Sequence, residues 1–404
     1  MTINLSIKHF KSVYKQSVEL GNVNVFIGAN GSGKSVLLEA LGVLSGAVSG
    51  RVDNEVLAHR GVRLGTPALY KSSFQEMSRI PRSLELGINA NLKSGLWDYI
   101  VNLSNPIDNP KPSWDYFAEK LSYNEQKVFG RSQASTGNLD GYPKFKVDRN
   151  KGWLSFLQGI EPTNSEPIKM QEFYELLKDY AIYMPNTATL RGIQTDSSQR
   201  VPLGLFGGSL AESFEELLNM EEEMFGSLDI DELFELIDWI DNISVGKPTK
   251  DMLSPGITTG QKVVRFTDRY MREGRNELTP YDASEGSLYV LFVLILAMHE
   301  KTPSIFSIDN FDQAMNPRLA RKVTEVFSNK ILEHNKTVLL TTHNPLVLDG
   351  LNIRDERIRL FAVERNQKGH TVVNRIKVTE KLLDEGYSLS RLWLMGRLGG
   401  VPNI

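Results

Sequence analysis

The chain has 404 residues, with 46 Lys+Arg against 49 Asp+Glu, a formal net charge of −3, six His and no Cys. That balance lacks the clustered basic excess of a general nucleic-acid binder, and the absence of cysteine excludes a disulfide scaffold, a Cys-ligated zinc site and thiol catalysis. At 41% hydrophobic there is enough apolar material for a buried core in two or three lobes. The first residues, Met1-Thr2-Ile3-Asn4-Leu5, show no basic start before an apolar stretch. The longest apolar run, Leu288 to Met298, falls well short of the roughly 20 residues that span a bilayer, so a cytoplasmic protein without a membrane segment is expected.

Residues 2–8 alternate, with Ile3, Leu5 and Ile7 apolar, as a half-buried strand does. Val23–Ile27 reads as a second strand. It runs into the glycine-rich turn 28–33 and then a helix from about Ser35 to Leu44. Two alternating stretches between Leu84 and Leu103 flank Asn91–Gly95 and predict a hairpin. The stretch 105–152 is rich in Pro, Gly, Asn and Ser and predicts loops and short inserted elements.

From Ser209 to Asn242 there are twelve Asp/Glu and no Lys or Arg, yet Leu210, Phe214, Leu217 and Leu218, then Leu233, Leu236, Ile237 and Ile240, recur at helical spacing. This predicts a pair of helices with an acidic face, either simply solvated or a docking surface for a basic partner. In neither case would that face suit DNA. Further on, the pattern predicts a helix over 287–298, a strand over 304–308, a helix over 317–332, a strand over 337–342, and two strands, 357–364 and 371–378, around Asn366–Gly369. Strands alternating with helices imply a largely parallel sheet covered on both faces.

The sharpest motif is Gly28-Ala29-Asn30-Gly31-Ser32-Gly33-Lys34-Ser35, a full G-x-x-x-x-G-K-[ST] match between a predicted strand and a predicted helix. Glycines let successive backbone N–H groups converge on phosphate oxygens, and the helix N-terminus adds positive potential. Lys34 would neutralise the β- and γ-phosphates and Ser35 would ligate Mg²⁺, which identifies ATP and Mg²⁺ as the expected ligands. Ser304–Ile308 ends at Asp309, a carboxylate placed to hold the same ion. Ser284-Glu285-Gly286 precedes a strongly apolar helix that Ser284 would cap. His343 ends the strand Val338–Thr342.

In this order the pieces resemble the ABC-type ATPases of the RecF/SMC-like branch, in the short AAA_21-like form without a long coiled coil. The P-loop is Gly28–Ser35, the signature Ser284–Gly286, the Walker B strand Ile305–Asp309 and the switch histidine His343. Ile7–Ser12 is similar to that branch's opening, and Leu389–Trp393 with Gly396–Gly400 to the tail of the short subgroup. The resemblance covers about 1–100 and 255–404. It implies an α/β fold: an ATPase head with a mixed or parallel sheet flanked by helices, an antiparallel β subdomain and an acidic helical insertion. Residues 1–104 and 255–404 would form the two halves of the head, and 105–254 the insertion.

The same resemblance implies that one chain's P-loop nucleotide is capped by Ser284 of a second chain. The active form would then be an ATP-bound homodimer in which loss of the γ-phosphate weakens the bridge. Gln75 is the nearest candidate for the glutamine that reaches the metal in this family, and Lys11 matches a basic residue that would reach phosphate. Where the family usually follows the Walker B Asp with a catalytic Glu, this chain reads Asp309-Asn310-Phe311-Asp312. The amide of Asn310 can orient water but cannot take its proton. Slow or partner-dependent hydrolysis is therefore expected, with Asp312 the only nearby substitute carboxylate.

Three roles fit this reading. In the first, the chain is a nucleotide switch and scaffold for a separate effector, a nuclease or toxin, in a bacterial defence module. The second is a repair ATPase binding DNA or RNA directly, through basic clusters at Lys144, Lys146, Arg149 and Lys151 or at Arg265, Arg269, Arg272 and Arg275; those charges read equally as scattered and solvated. A third, the nucleotide-binding subunit of a transporter, is opposed by the RecF-like opening and by Glu285 and Ser287 in the signature.

Overall fold

The structure, a computed structural model, describes residues 2–132, 136–139, 145–146, 148–157, 167–198, 200–219, 230–248, 252, 262–377 and 386–400. The chain opens with β1 (Thr2–Phe10), β2 (Val13–Leu20) and β3 (Val23–Ile27), then α1 (Lys34–Val48) and the single turns α2 (Asn54–Ala58) and α3 (Pro67–Tyr70). Next come β4 (Ser83–Leu92), β5 (Gly95–Ser104), β6 (Asp115–Tyr123), β7 (Gln126–Ser132), β8 (Thr136–Leu139) and β9 (Phe145–Lys146). Helices α4 (Trp153–Leu157) and α5 (Pro167–Lys178) lead to β10 (Ile182–Tyr183), α6 (Thr187–Leu190), α7 (Leu210–Leu218) and α8 (Ile230–Leu236). The last part holds β11 (Ile240–Gly246), β12 (Val263–Asp268), β13 (Glu277–Leu278), α9 (Glu285–Met298), β14 (Ile305–Ile308), α10 (Pro317–Glu333) and β15 (Thr337–Thr341). A 3₁₀ segment (Pro345–Gly350), β16 (Ile358–Arg365), β17 (Thr371–Ile376) and α11 (Leu389–Leu394) complete it.

Two sheets enclose α1. The first is antiparallel, in the order β2-β1-β4-β5-β6-β7-β8-β9. The second, β10-β14-β15-β3-β16-β17, is parallel except for β17. Parallel strands buried on both faces should be apolar at successive positions, and β3, β14 and β15 are buried throughout. Their side chains alternate between two cores. Val23, Val25, Ile308 and Leu340 face the core built on α9 and α10, whereas Phe26, Ile305, Leu339 and Phe361 face α1 and the antiparallel sheet. Pressed between sheets, α1 exposes little, and α9 is buried from Ser287 to Met298. A helix apolar all round belongs inside a protein, so neither shows the one-sided stripe of a surface helix.

The hairpin expected over 84–103 is β4–β5, and the C-terminal strand pair is β16–β17. Two expectations need correction. The Pro- and Gly-rich stretch 105–152 is not mainly loop: β6 and β7 extend the sheet that contains β1, with register shifts at Asn102/Leu103 and Leu121/Ser122. Such bulges blur the alternation that would have announced these strands. The acidic stretch does hold two helices, α7 and α8, but Ile240 and Asn242 lie in strand β11. Part of its charge is answered within the chain: Glu215 pairs with Lys262, Glu216 with Lys301 at 2.6 Å, and Glu232 with Lys330 at 3.8 Å. Glu221, Glu222, Glu223 and Asp229 lie outside the described residues.

One buried cation gives the fold a pH signature. The Lys336 ammonium sits against the end of α9, donating to the carbonyls of His299 (2.6 Å) and Leu296 (3.3 Å). Burial pushes its pKa down to about 7, against about 10.4 in an unfolded chain. Between those values the unfolded state holds the extra proton, so this group makes stability rise with pH from about 7 to about 10. Lys336→Met should flatten that slope. Urea midpoints at pH 7 and pH 9.5, compared between the two proteins, check it.

Candidate functional site

The glycine-rich turn has the shape its residues predict. Gly31 and Gly33 have φ of +73° and +110°, backbone that side-chain-bearing residues avoid, and a Cβ on Gly33 would strike the Thr371 hydroxyl. The Lys34 ammonium folds back onto the carbonyls of Gly28 (2.7 Å) and Ala29 (3.0 Å), while Asn30 is exposed. The loop is also held from outside. Thr371 Oγ1 donates to the Ser32 carbonyl at 2.8 Å, and Arg365 donates to that of Gly31 at 3.0 Å. Ser32 Oγ is buried without a partner among the described residues. That is a polar atom at the loop's centre waiting for an acceptor or donor.

Strand β14 delivers Asp309 to this loop. Ser35 Oγ donates to Asp309 Oδ1 at 3.1 Å, and Thr341 Oγ1 donates to the same oxygen. Thr341 Oγ1 also accepts the N–H of Asn310 at 2.8 Å. Asn310 is exposed, with φ of +56°, a conformation Asn tolerates better than most residues. Asp312 accepts from the Thr342 hydroxyl at 2.7 Å and from the N–H of His343 at 3.3 Å. The exposed His343 lines a cavity with Gly28, Ala29 and Asn30. Its pKa is held below the ordinary value by partial burial and then by Lys34, so the ring is neutral near pH 7. Ser35, Asp309, Asn310 and His343 thus gather at one end of the parallel sheet.

Lys11 and Gln75 lie to one side, where a cavity of about 980 Å³ opens beside Val36. Lys11 is spoken for: its ammonium meets the buried Glu39 at 2.6 Å, and Arg63 meets the other Glu39 oxygen at 2.6 Å. Burial lowers the Lys11 pKa and Glu39 works against that. Gln75 is exposed in the loop before β4 and lines this cavity with Phe74, Arg365 and Lys368. The structure does not bring Gln75 to Ser35 or Asp309. The segment beside Asp309 is instead β10, whose Tyr183 carbonyl accepts the Asp309 N–H at 3.0 Å.

Ser284 stands apart from the loop. It caps α9, accepting from the Ser287 N–H at 3.2 Å, and is exposed. The cavity it lines, about 420 Å³, includes Trp239, Asn316 and Arg318 but no residue of 28–35. Gly286 is hemmed in, since a Cβ there would lie 3.2 Å from the Ala314 carbonyl. The segment after β10 braces this corner. The Thr187 hydroxyl donates to Glu285, Arg191 donates to the Ala283 carbonyl at 3.3 Å, and Tyr289 Oη donates to that of Pro185 at 2.6 Å. Sequence reasoning missed Thr341, Glu39, Arg63, Thr187 and Arg191. Each acts across a long sequence gap that no local pattern announces.

These groups fit a triphosphate and a hard divalent ion. Ser35 and Asp309 offer adjoining oxygen donors, the set Mg²⁺ takes when phosphates and water complete its shell. Among the described residues no cluster of three or more His, Cys, Asp or Glu offers a separate all-protein metal cage. Lys34 would trade its two carbonyls for phosphate oxygens, Ser32 would gain a partner, and Asn310 would orient water without taking its proton.

Comparison with known proteins agrees. The family AAA_21 (AAA domain, putative AbiEii toxin, Type IV TA system) matches residues 23–349. An SMC head bound to the C-winged helix domain of ScpA aligns with 94% of this chain and 98% of its own, at 12% identity and a TM-score of 0.53. An SMC head with an extended coiled coil, bound to the C-terminal domain of ScpA derived from Pyrococcus furiosus, aligns with 95% and 99% at 12% identity and 0.50. These likenesses establish the fold. No curated protein matches the chain. Among the described residues no helix is long and apolar enough to cross a membrane.

Lys34 sets the pH dependence of ligand binding. Burial pushes its pKa down to about 8, with Asp309 and then Asp312 pulling it back up. Phosphate would raise it further, so binding favours the protonated form. Affinity for an ATP analogue should be flat below pH 8 and weaken by up to about tenfold per unit above it. Lys34→Gln should bind weakly at every pH. Titration of a fluorescent analogue from pH 7 to 9.5 checks both.

Proposed function

The chain belongs to the AAA_21 family and has the fold of SMC heads, and from that premise we propose that it is an ATPase acting as an ATP-dependent dimeric switch for a separate effector. Mg²⁺-ATP would sit on Gly28–Ser35, with the ion held by Ser35 and Asp309. Ser284 of a second copy would close the site over the γ-phosphate, the N-terminus of α9 adding its positive potential. The observation that carries this reading is a division of labour. The phosphate loop and the exposed Ser284 cap line separate cavities of one chain, so two chains complete what one leaves open.

Hydrolysis is slow in this reading because Asn310 stands where a base would act. A long-lived ATP-bound pair suits a signal better than a motor. The effector role draws support from the SMC heads of similar fold, which are bound to domains of ScpA, and the defence setting from a family that includes a putative toxin of a type IV toxin–antitoxin system. A nuclease or toxin in a bacterial defence module is the partner we propose.

Direct binding of DNA or RNA is a second reading with one observation behind it. The turn between β12 and β13 exposes Tyr270 (79%) and Met271 (49%) beside Arg272 and Arg275, a mix of aromatic and cation that can stack on bases and meet phosphates. The other two arginines are committed, Arg265 to the Lys247 carbonyl and Arg269 to that of Ile240. Of the second cluster, Lys151 pairs with Asp148 at 3.9 Å, while Lys144 and the Lys146 side chain lie outside the described residues.

Sedimentation velocity tests the switch. The wild type should be monomeric without nucleotide and dimeric with Mg²⁺-ATP, and Ser284→Arg should bind ATP yet stay monomeric. A wild type that stays monomeric at saturating ATP refutes the sandwich. Asn310→Glu should raise turnover at least tenfold, since general-base assistance is typically worth 10²–10⁴. A rate that does not rise shows that the missing base is not what limits it.

A further inference from the structure

Gln75 and the cavity of about 980 Å³ beside Val36 take no part in holding the ion, yet the cavity borders the phosphate loop. A glycine loop of this kind cradles the α- and β-phosphates with its backbone N–H groups, and its lysine reaches the β- and γ-phosphates. Ser35 and Asp309 mark the end where the ion and the γ-phosphate sit. The cavity of about 270 Å³ that holds His343, with Gly28, Ala29 and Asn30, belongs to that same end. The nucleoside must leave on the other side, past the first turn of α1. There the larger cavity opens between Ser12, Val36 and Arg365. Its volume lies at the upper end of the range of about 300–1,000 Å³ that small-molecule sites occupy.

The walls suit a nucleoside and its first phosphate. Leu64, Leu69 and Phe74 line the cavity and offer apolar cover to a base. Arg365 donates only to the carbonyls of Gly31 and Gly369, so its charge is left for a phosphate. Gln75 stands on the same wall, in a segment fastened on both sides. Before it, the buried Ser72 donates through its N–H to the His9 carbonyl (3.1 Å) and through its hydroxyl to that of Val13 (3.1 Å). After it, Glu76 pairs with Lys368 at 3.0 Å. The Phe74 ring packs on His370, with centroids 4.3 Å apart. Between these anchors the Gln75 side chain is exposed and makes no hydrogen bond among the described residues.

A primary amide carries a donor and an acceptor side by side. That pair matches adenine, whose N6 donates while N7 accepts, whereas guanine presents two acceptors, O6 and N7, on the same edge. We propose that this cavity receives the nucleoside of the bound nucleotide and that Gln75 reads its base, favouring adenine over guanine. The inference rests on the reading that places Mg²⁺-ATP on Gly28–Ser35. It assigns Gln75 to the base rather than to the ion, and makes the segment 72–76 the part of the site that selects the nucleotide.

Calorimetric titration of the full chain with Mg²⁺-ADP, Mg²⁺-GDP and Mg²⁺-pyrophosphate tests it. The diphosphates keep the base and the loop contacts but lack the γ-phosphate that would pair two chains. The wild type should bind ADP at least about tenfold more tightly than GDP, the discrimination expected of a bidentate amide. Gln75→Ala, at an exposed position, should bring the two within about threefold. Gln75→Lys, which can donate to both O6 and N7 of guanine, should favour GDP. Pyrophosphate has no base and should bind the wild type and Gln75→Ala alike. A wild type that binds GDP as well as ADP overturns the base reading, and a preference that survives Gln75→Ala overturns the part given to Gln75. If Gln75→Ala weakens pyrophosphate as much as ADP, the residue only supports the loop and the inference fails. Lys34→Gln separates this failure from that of the underlying site: should it bind ADP and pyrophosphate as the wild type does, the phosphate-loop reading falls, and this inference with it.

Discussion

Ser35 and Asp309 lie 274 residues apart in sequence and 3.1 Å apart in space, and the site depends on that contact. It joins the first turn of α1 to the end of β14, and Thr341 of β15 grips the same carboxylate oxygen. Three elements of the parallel sheet layer thus share one oxygen. Both carboxylate and lysine lie at the edge of the core, where a low dielectric strengthens their interaction. Burial alone gives Lys34 its low pKa, a cation drawn out of water that Asp309 and Asp312 only partly compensate.

From Asp309 the structure leads to the Ser284 corner by a short route. The Asp309 N–H is held by Tyr183, and within the next eight residues the chain reaches Thr187 and Arg191, which hold Glu285 and the Ala283 carbonyl. A displacement of the carboxylate on gaining or losing an ion would load this segment directly. The cap and the phosphate loop are thus remote as surfaces but near neighbours through the backbone.

The parts of this protein that obey a local rule were legible in its sequence. The phosphate loop announced itself because its glycines and lysine are consecutive, and α9 and β14 because a buried element must be apolar on every side. Strands β6 and β7 escaped notice because bulges interrupt their alternation and turn residues surround them. Gln75 is marked in the sequence only by its distance from the phosphate loop, and in the fold it lines the cavity that also holds Lys11 and Val36. Glu39 and Arg63 could not be inferred from patterning: a buried carboxylate in the middle of an apolar helix has meaning only once its two cations are seen.

Thr371 of β17 reaches back to the Ser32 carbonyl across 339 residues of sequence, and its hydroxyl meets that of Ser12 in the first turn. Likewise β3 is flanked by β15 and β16, strands made hundreds of residues later. During synthesis, which runs from the N-terminus at about 5–20 residues per second, the lysine loop emerges long before its walls. The ribosome must therefore deliver nearly the whole polypeptide before the loop can be held in shape. A truncated product carries the motif but not the grip, and so would not compete with finished molecules for nucleotide.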